Sequence, residues 1–249
     1  MTVTEKLIHF GGNHCRDAAL VDIRIGLGYT YVELADGSAG IAWTPGRERA
    51  ASCTHLPRAG TMQNCSENEA LELLVSNVHL ERAIGLAVFN AVNSRVNRRV
   101  DSVEAITRLA IKPTDLVVMV GHFGPLIPRI RKIGCQLDIL DLNTDRSGII
   151  DPAAGPAVLA TCDVAIITAT SIINATIEDL IGQLQRNRTA VLLGPSTPIC
   201  PEAFAETSIT QLSGSLVKEP EQLKQVISQG GGTMLMKKYL QFVNIDVEP

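Results

Sequence analysis

Three turns bring together residue types that could bind or react. Gly121-His-Phe-Gly-Pro125 directly follows the apolar run Leu116–Val120 and places an imidazole among backbone amides. Pro125 and Pro128 have no amide hydrogen and suit a first helical turn, so a helix is predicted to begin near Leu126. Its positive end beside His122 could hold an anion or a carboxylate. Thr168-Ala-Thr-Ser-Ile-Ile-Asn-Ala-Thr176 gathers hydroxyls and an amide where an apolar strand ends. Such groups make a neutral, multidentate surface for a polar ligand, although Asn174 or Ser171 could instead cap the following helix. Gly194-Pro-Ser-Thr-Pro-Ile-Cys-Pro201 is stiffened by its prolines and presents the hydroxyls of Ser196 and Thr197 and the thiol of Cys200. No GxSxG motif surrounds Ser196, and no His and acid lie at a serine-hydrolase spacing, so Ser196 is not read as a nucleophile.

Asp141 follows Gly121 by about 20 residues, the spacing at which an acid can bind a ribose hydroxyl in dinucleotide-binding folds. The glycine pattern is not GxGxxG, and a strand-end Asp can also simply form a turn with Asn143. A soft metal ion would need thiolate or imidazole ligands converging on one point. The candidates are His14-Cys15, Cys53-Thr-His55, Cys65, His122 and Cys200. Cys53, His55 and Cys65 form the best local cluster, since Cys53 and His55 would share a face in an extended segment. Cys135 and Cys162 sit beside strand starts in apolar surroundings and read as packing residues. With six scattered cysteines and no CxxC pair, neither a disulfide framework nor a zinc knuckle is expected.

The elements that must position these turns fall into two stretches of different pattern. In the first, Leu27–Leu34 and Ala39–Thr44 flank Asp36-Gly37 and predict a hairpin. Residues 45–66 lack apolar periodicity and predict a long loop, either a lid or a solvent excursion. Ser66 and Glu69 form a capping-box signature for a helix over 67–77. A second helix is predicted from about Leu80 to Arg95, with Ile84, Ala87, Val88 and Ala91 on one face.

From about Asp101 the pattern becomes strand, turn, helix. The runs 116–120, 136–140, 164–168 and 190–193 are short apolar strands, which predicts a parallel, doubly wound, Rossmann-like sheet with its ligands at the carboxyl ends. A C-terminal helix is expected over Met234–Phe242, preceded by Gly230-Gly-Gly-Thr233.

Across 249 residues, 45% are hydrophobic and 19% charged, and a net charge of −4 disfavours nucleic acid and anionic membrane as partners. No apolar run approaches the roughly 20 residues of a spanning helix, and the start lacks the order of a signal peptide, so a cytoplasmic location is expected.

Taken in order, Ala83–Val92, Val120–Pro125, Asp163–Thr168 with Asn174-Ala-Thr176, and Leu193-Gly-Pro-Ser-Thr-Pro198 resemble the DUF364 family of heavy-metal chelation proteins. Gly28-Tyr-Thr30, Gly40-Ile-Ala42, Leu212-Ser-Gly214 and Gly230–Thr233 are similar too. The resemblance implies an α/β chain, with an enolase N-terminal-like α+β domain over 1–98 and a Rossmann-like domain over 99–249. It implies a site in the cleft between them, with Asn90, Gly121, Phe123, Pro125, Thr170, Asn174, Thr176, Gly194, Pro195, Ser196 and Thr197 as candidate positions. His122 and Cys200 occupy variable-looking places within those motifs.

The expected function is chelation of a transition or heavy metal ion, or binding of a small polar ligand that could carry a metal. Hydroxyls, amides and glycines suit such a complex, or an anionic metabolite, better than a bare soft ion. Alternatives are an enzyme acting on a nucleotide-containing or phosphorylated metabolite, for which Asp141 and the Gly230–Thr233 turn argue, and a homodimeric scaffold without its own ligand.

Overall fold

The computed structural model describes residues 1–16, 18–46, 54–143, 146 and 148–248. Helix α1 (Val3–Gly12) opens the chain, started by a capping box in which Thr2 accepts from the Glu5 amide and Glu5 accepts from the Thr2 amide. Strands β1 (Leu20–Ile25), β2 (Tyr29–Leu34) and β3 (Ala39–Trp43) follow as an antiparallel sheet in the order β1-β2-β3. The predicted hairpin is β2–β3, with Gly37 at φ 84° in its turn. Strand β1, whose Asp22 and Arg24 break its apolar run, has no counterpart in the sequence prediction.

Ser66 caps α2 (Glu67–Leu71) with the reciprocal Glu69 bond expected, and the helix tightens into a 3-10 turn over Glu72–Val75. Helix α3 (His79–Asn93) is buried along most of its length and packs across β2 and β3. Gly40 permits that contact, since a Cβ there would lie 2.1 Å from the Ala87 carbonyl oxygen. Beyond α3, the buried Glu67 carboxylate pairs with Arg95 at 2.6 Å and accepts from the Arg16 amide.

The second sheet is built from α4 (Ala105–Arg108), β4 (Leu116–Val120), α5 (Ile127–Ile133), β5 (Gln136–Leu140), α6 (Gly155–Thr161), β6 (Val164–Thr168), α7 (Thr170–Ile173), α8 (Ile177–Gln183), β7 (Thr189–Leu193), α9 (Pro201–Phe204), β8 (Gln211–Val217), α10 (Pro220–Ser228), α11 (Thr233–Met236) and β9 (Leu240–Asp246). Its strand order is β5-β4-β6-β7-β8-β9, parallel throughout except for β9. The chain runs outward from β4 to β5, then crosses back to β6 on the other side of β4. That reversal creates a switch point at the carboxyl ends of β4 and β6. The fold is the mixed α/β class expected, with a three-stranded antiparallel and a six-stranded, mostly parallel sheet.

Two further elements differ from expectation. Strand β8 (QLSGSLV) carries too many hydroxyls to read as a core strand, and its Ser213 is satisfied by Gln211 and Asn244 at 2.8 Å each. The helix expected over Met234–Phe242 is a four-residue helix and a 3-10 turn, and from Leu240 the chain is strand β9. Pairing with β8 along seven registered positions outweighs local helix propensity there. One buried cluster runs from Val3 and Leu7 through α3 to Ile167, Leu192 and Phe204, so the two sheets share a continuous core. Among the described residues, no helix is long and apolar enough to cross a membrane.

Candidate functional site

The turn after β4 begins at Gly121, held at φ 94° with its amide donating to the Leu140 carbonyl at 2.7 Å. A Cβ at Gly121 would lie 2.9 Å from the Thr168 Cβ, so the turns after β4 and β6 abut at the switch point. Only glycine combines that dihedral with that approach. The His122 amide donates to Asp141 Oδ2 at 2.8 Å, which fixes the imidazole-bearing residue at the mouth of the two strands. Phe123 packs against the core cluster beneath α5, and Pro125 is exposed before the helix starts at Ile127, one residue beyond the predicted Leu126. Phe123 thus anchors this turn and His122 supplies its polar side chain.

Asp141 has both oxygens engaged. Oδ1 accepts from the Asn143 amide at 2.7 Å, and Oδ2 takes the His122 amide and lies 3.5 Å from an Arg146 guanidinium nitrogen. It forms the strand-end turn that the sequence left as its alternative, and it positions His122.

After β6, the Thr168 and Thr170 hydroxyls pair at 3.0 Å, and Ser171 Oγ donates to the Thr168 carbonyl at 2.7 Å. Asn174 Oδ1 accepts from the Thr176 hydroxyl at 2.8 Å and from its amide at 3.3 Å, folding a turn in which Ala175 takes φ 60°. Thr176 is the N-cap residue of α8 but makes no side-chain cap bond, so Asn174 rather than Ser171 organises that helix start. The Ala169 amide donates to the Leu193 carbonyl and the Gly194 amide to Ser213, which places the third turn alongside the second.

That third turn works differently from the other two. Ser196 and Thr197 are both 1% exposed. Ser196 Oγ accepts from the Trp43 amide at 2.8 Å, and Asn90 Nδ2 donates both to the Ser196 carbonyl at 3.1 Å and to the Ile41 carbonyl at 2.9 Å. Ser215 Oγ donates to the Pro195 carbonyl at 3.1 Å, and Asn93 Nδ2 to Ile199 at 2.8 Å. The 194–199 segment is therefore a joint that fastens β3 and α3 to the large sheet. Arg82 adds a second tie, its Nη2 and Nε donating to the Ile172 carbonyl at 2.7 and 3.1 Å. Burial holds the Arg82 guanidinium below its ordinary pKa. Sequence reasoning missed Trp43, Arg82 and Asn93. The position of the lone tryptophan at the end of a hairpin strand was the one available signal.

The described residues do not fit a bare soft metal ion. Among the described residues, no group of three His, Cys, Asp or Glu side chains could hold one. Cys200 is fully buried and 3.4 Å from Glu202, and burial pushes its thiol up to about 12. His122 lies in the turn after β4, whereas Cys200 directly precedes α9 beyond the joint. His55 is exposed, whereas Cys65 is buried with its sulfur accepting from Arg58 at 2.8 Å. Cys53, the remaining member of that cluster, lies outside the described residues.

Comparison with known proteins agrees with this architecture. The solved structure of a DUF364-family protein of unknown function from Pyrococcus horikoshii superposes with a TM-score of 0.84 at 20% identity, covering 99% of this chain and 100% of that one. A DUF364-family structure from Desulfitobacterium hafniense gives 0.77 at 23% identity, covering 98% of each chain. Uncharacterized protein MJ0500 of Methanocaldococcus jannaschii is 21% identical over 99% of this chain and 97% of its own length. Residues 10–93 match the DUF4213 family, and residues 104–246 match DUF364, both described as "Putative heavy-metal chelation". The DUF364 match alone spans more than half of the sequence, and the chain belongs to that family.

Proposed function

We propose that the chain binds a small, polar, oxygen-rich ligand at the carboxyl ends of β4 and β6, and that any metal it handles arrives within that ligand. The supporting observation is the abutment of Gly121 on Thr168, whose hydroxyl pairs with Thr170, so that the turn carrying His122 lies beside these hydroxyls; in this reading the Asn174–Thr176 pair at the far end of α7 extends the same surface. Hydroxyls, an amide and one imidazole recognise hydroxyl, carboxylate or phosphate oxygens by hydrogen bonding. They offer no thiolate for a naked heavy ion. In this reading residues 1–98 and 99–249 form two units and the ligand lies where they meet, with Gly194 and Pro195 as its far wall. Asn90, Ser196 and Thr197 support the site from behind. The Asp141 carboxylate accepts from the His122 and Asn143 amides, which supports its role in holding the turn over a role as a ribose-binding acid.

The test is native mass spectrometry with elemental analysis on protein purified without a metal-affinity tag, repeated for His122→Ala and Asn174→Ala. A co-purifying small molecule, with or without metal, that is lost in both variants is the expected result. Stoichiometric metal without any organic ligand, retained in both variants, would overturn the proposal.

A further inference from the structure

Two adjacent apolar side chains stand in solvent beside a group of lysines. Met234 is 80% exposed and Leu235 62%. With Lys237 and Lys238 they line one open groove of about 530 Å³. Helix α11, which carries the apolar pair, is fixed at both ends. The Thr233 hydroxyl pairs with the Tyr29 hydroxyl at 2.8 Å, and Met236 is fully buried beside Leu223, Ile227 and Leu240. Met236 thus takes the inward side of α11, and Met234 and Leu235 face water until something covers them.

The charges around the groove indicate what that is. Lys237 and Lys238 are exposed, and Lys238 Nζ lies over the Tyr239 ring at 4.7 Å from its centroid. Exposed Lys218 joins them, its amide donating to the Tyr239 carbonyl at 3.0 Å. Arg129 holds Glu104 through both guanidinium nitrogens, so the carboxylate nearest Lys237 is already neutralised. Glu219, beside Lys238, is the other acid at this corner, and the cations outnumber the carboxylates. The net charge of −4 that argues against membranes is a chain-wide average, whereas the fold gathers positive charge here. A nucleic acid would take the lysines and leave the apolar pair in water, and a second copy would set this positive surface against itself. A bilayer containing anionic lipid suits both features, since Met234 and Leu235 can enter the acyl boundary while the ammonium groups stay at the phosphate level. We propose that the 234–238 segment, with Lys218 beside it, is a peripheral docking site for an anionic membrane surface. This contact does not depend on the ligand proposed for the switch point, and its failure would leave that reading untouched.

Co-sedimentation of the full chain with vesicles of phosphatidylglycerol and phosphatidylcholine in equal parts tests the proposal, with circular dichroism and thermal unfolding as folding controls. The chain should pellet with these vesicles in about 0.1 M salt, and should be released in about 0.5 M salt or on pure phosphatidylcholine. Lys237→Gln with Lys238→Gln should weaken binding about twentyfold, at about fivefold for each lysine. Met234→Ser with Leu235→Ser changes only exposed side chains and no charge, so it should leave the fold intact while weakening binding about tenfold for each side chain that inserts. Failure to pellet at the lower salt would overturn the proposal. So would binding that the serine pair leaves unchanged, since charge alone would then explain it. A single-stranded oligonucleotide bound more tightly than the vesicles would overturn it as well, as would a dimer in sedimentation velocity that the serine pair dissolves.

Discussion

Asn90→Ala is the sharpest test of the conclusion that the 194–199 segment is a structural joint. In the folded chain one amide group, Asn90 Nδ2, serves two carbonyls, Ile41 at 2.9 Å and Ser196 at 3.1 Å, both in residues 1% exposed. Alanine removes both bonds. Each orphaned buried group costs about 1–3 kcal/mol, so the two would cost about 2–6 kcal/mol in full, and the half-buried position lets water recover part of that, leaving about 2–4 kcal/mol. For a chain of this size each kcal/mol lowers Tm by about 2–4 °C, giving a drop on the order of 5–15 °C by calorimetry. Asn90→Asp separates this account from general intolerance at the position. At neutral pH a carboxylate would aim lone pairs at two carbonyl oxygens and should destabilise more than alanine. Protonation restores one donor, so the Asp variant should approach the Ala variant as pH falls toward the carboxyl range. If Asn90→Ala unfolds within about a degree of wild type, the joint is not what Asn90 maintains, and its amide should be reconsidered as a ligand group.

Gly121→Ala should lower Tm and abolish ligand-dependent stabilisation in a thermal-shift assay, because left-handed backbone costs an L-residue about 1–2 kcal/mol and the new Cβ meets Thr168 at 2.9 Å. Ordinary stability with full ligand response would contradict the abutment. At Asp36, burial acts to raise the carboxyl pKa, but hydrogen bonds from Arg95 and Ser38 outweigh it and hold the group at about 2. Its stabilisation is complete above the ordinary carboxylate range and is lost as pH falls from about 4 toward 2. Asp36→Asn should therefore flatten that part of the acid-unfolding profile, and an unchanged profile would refute the pairing. Burial pushes the Cys200 thiol to about 12 and the Cys162 thiol to about 11. Ellman's reagent at mildly alkaline pH should label both only after unfolding, since the thiolate is the reactive form. Rapid native labelling of Cys200 would reopen it as a metal ligand.

Much of the local structure was legible because its causes are local. Ser66 and Glu69 mark a helix start through bonds spanning three residues, and the Asp36-Gly37 turn needs only its own dihedrals. The apolar runs at 116–120 and 164–168 coincide with central strands because parallel strands covered on both faces are apolar almost throughout, and the edge strand at 136–140 still shows itself through its buried Ile139 and Leu140. The misses have equally physical causes. Strand β8 hides behind Ser213 and Ser215, whose hydroxyls are satisfied by Gln211, Asn244 and Pro195. Strand β9 follows a sequence with helical character and is decided by pairing with a partner that sequence alone does not place.

By itself, the sequence determined the class of fold, the turns that end the central strands, and the family to which the chain belongs. It could not apportion the polar residues within those turns. Ser196 and Thr170 look alike on paper, each a hydroxyl beside the end of a core strand. Tertiary structure gives Ser196 to the Trp43 amide in the joint and leaves Thr170 at the switch point beside Gly121 and Thr168. Asp141 likewise reads as ribose acid or turn former, and only the fold places the His122 and Asn143 amides from which it accepts. The reason is that residue type sets what a polar group can bond, whereas its actual partner is fixed by which distant segments the packed core brings within 3 Å of it.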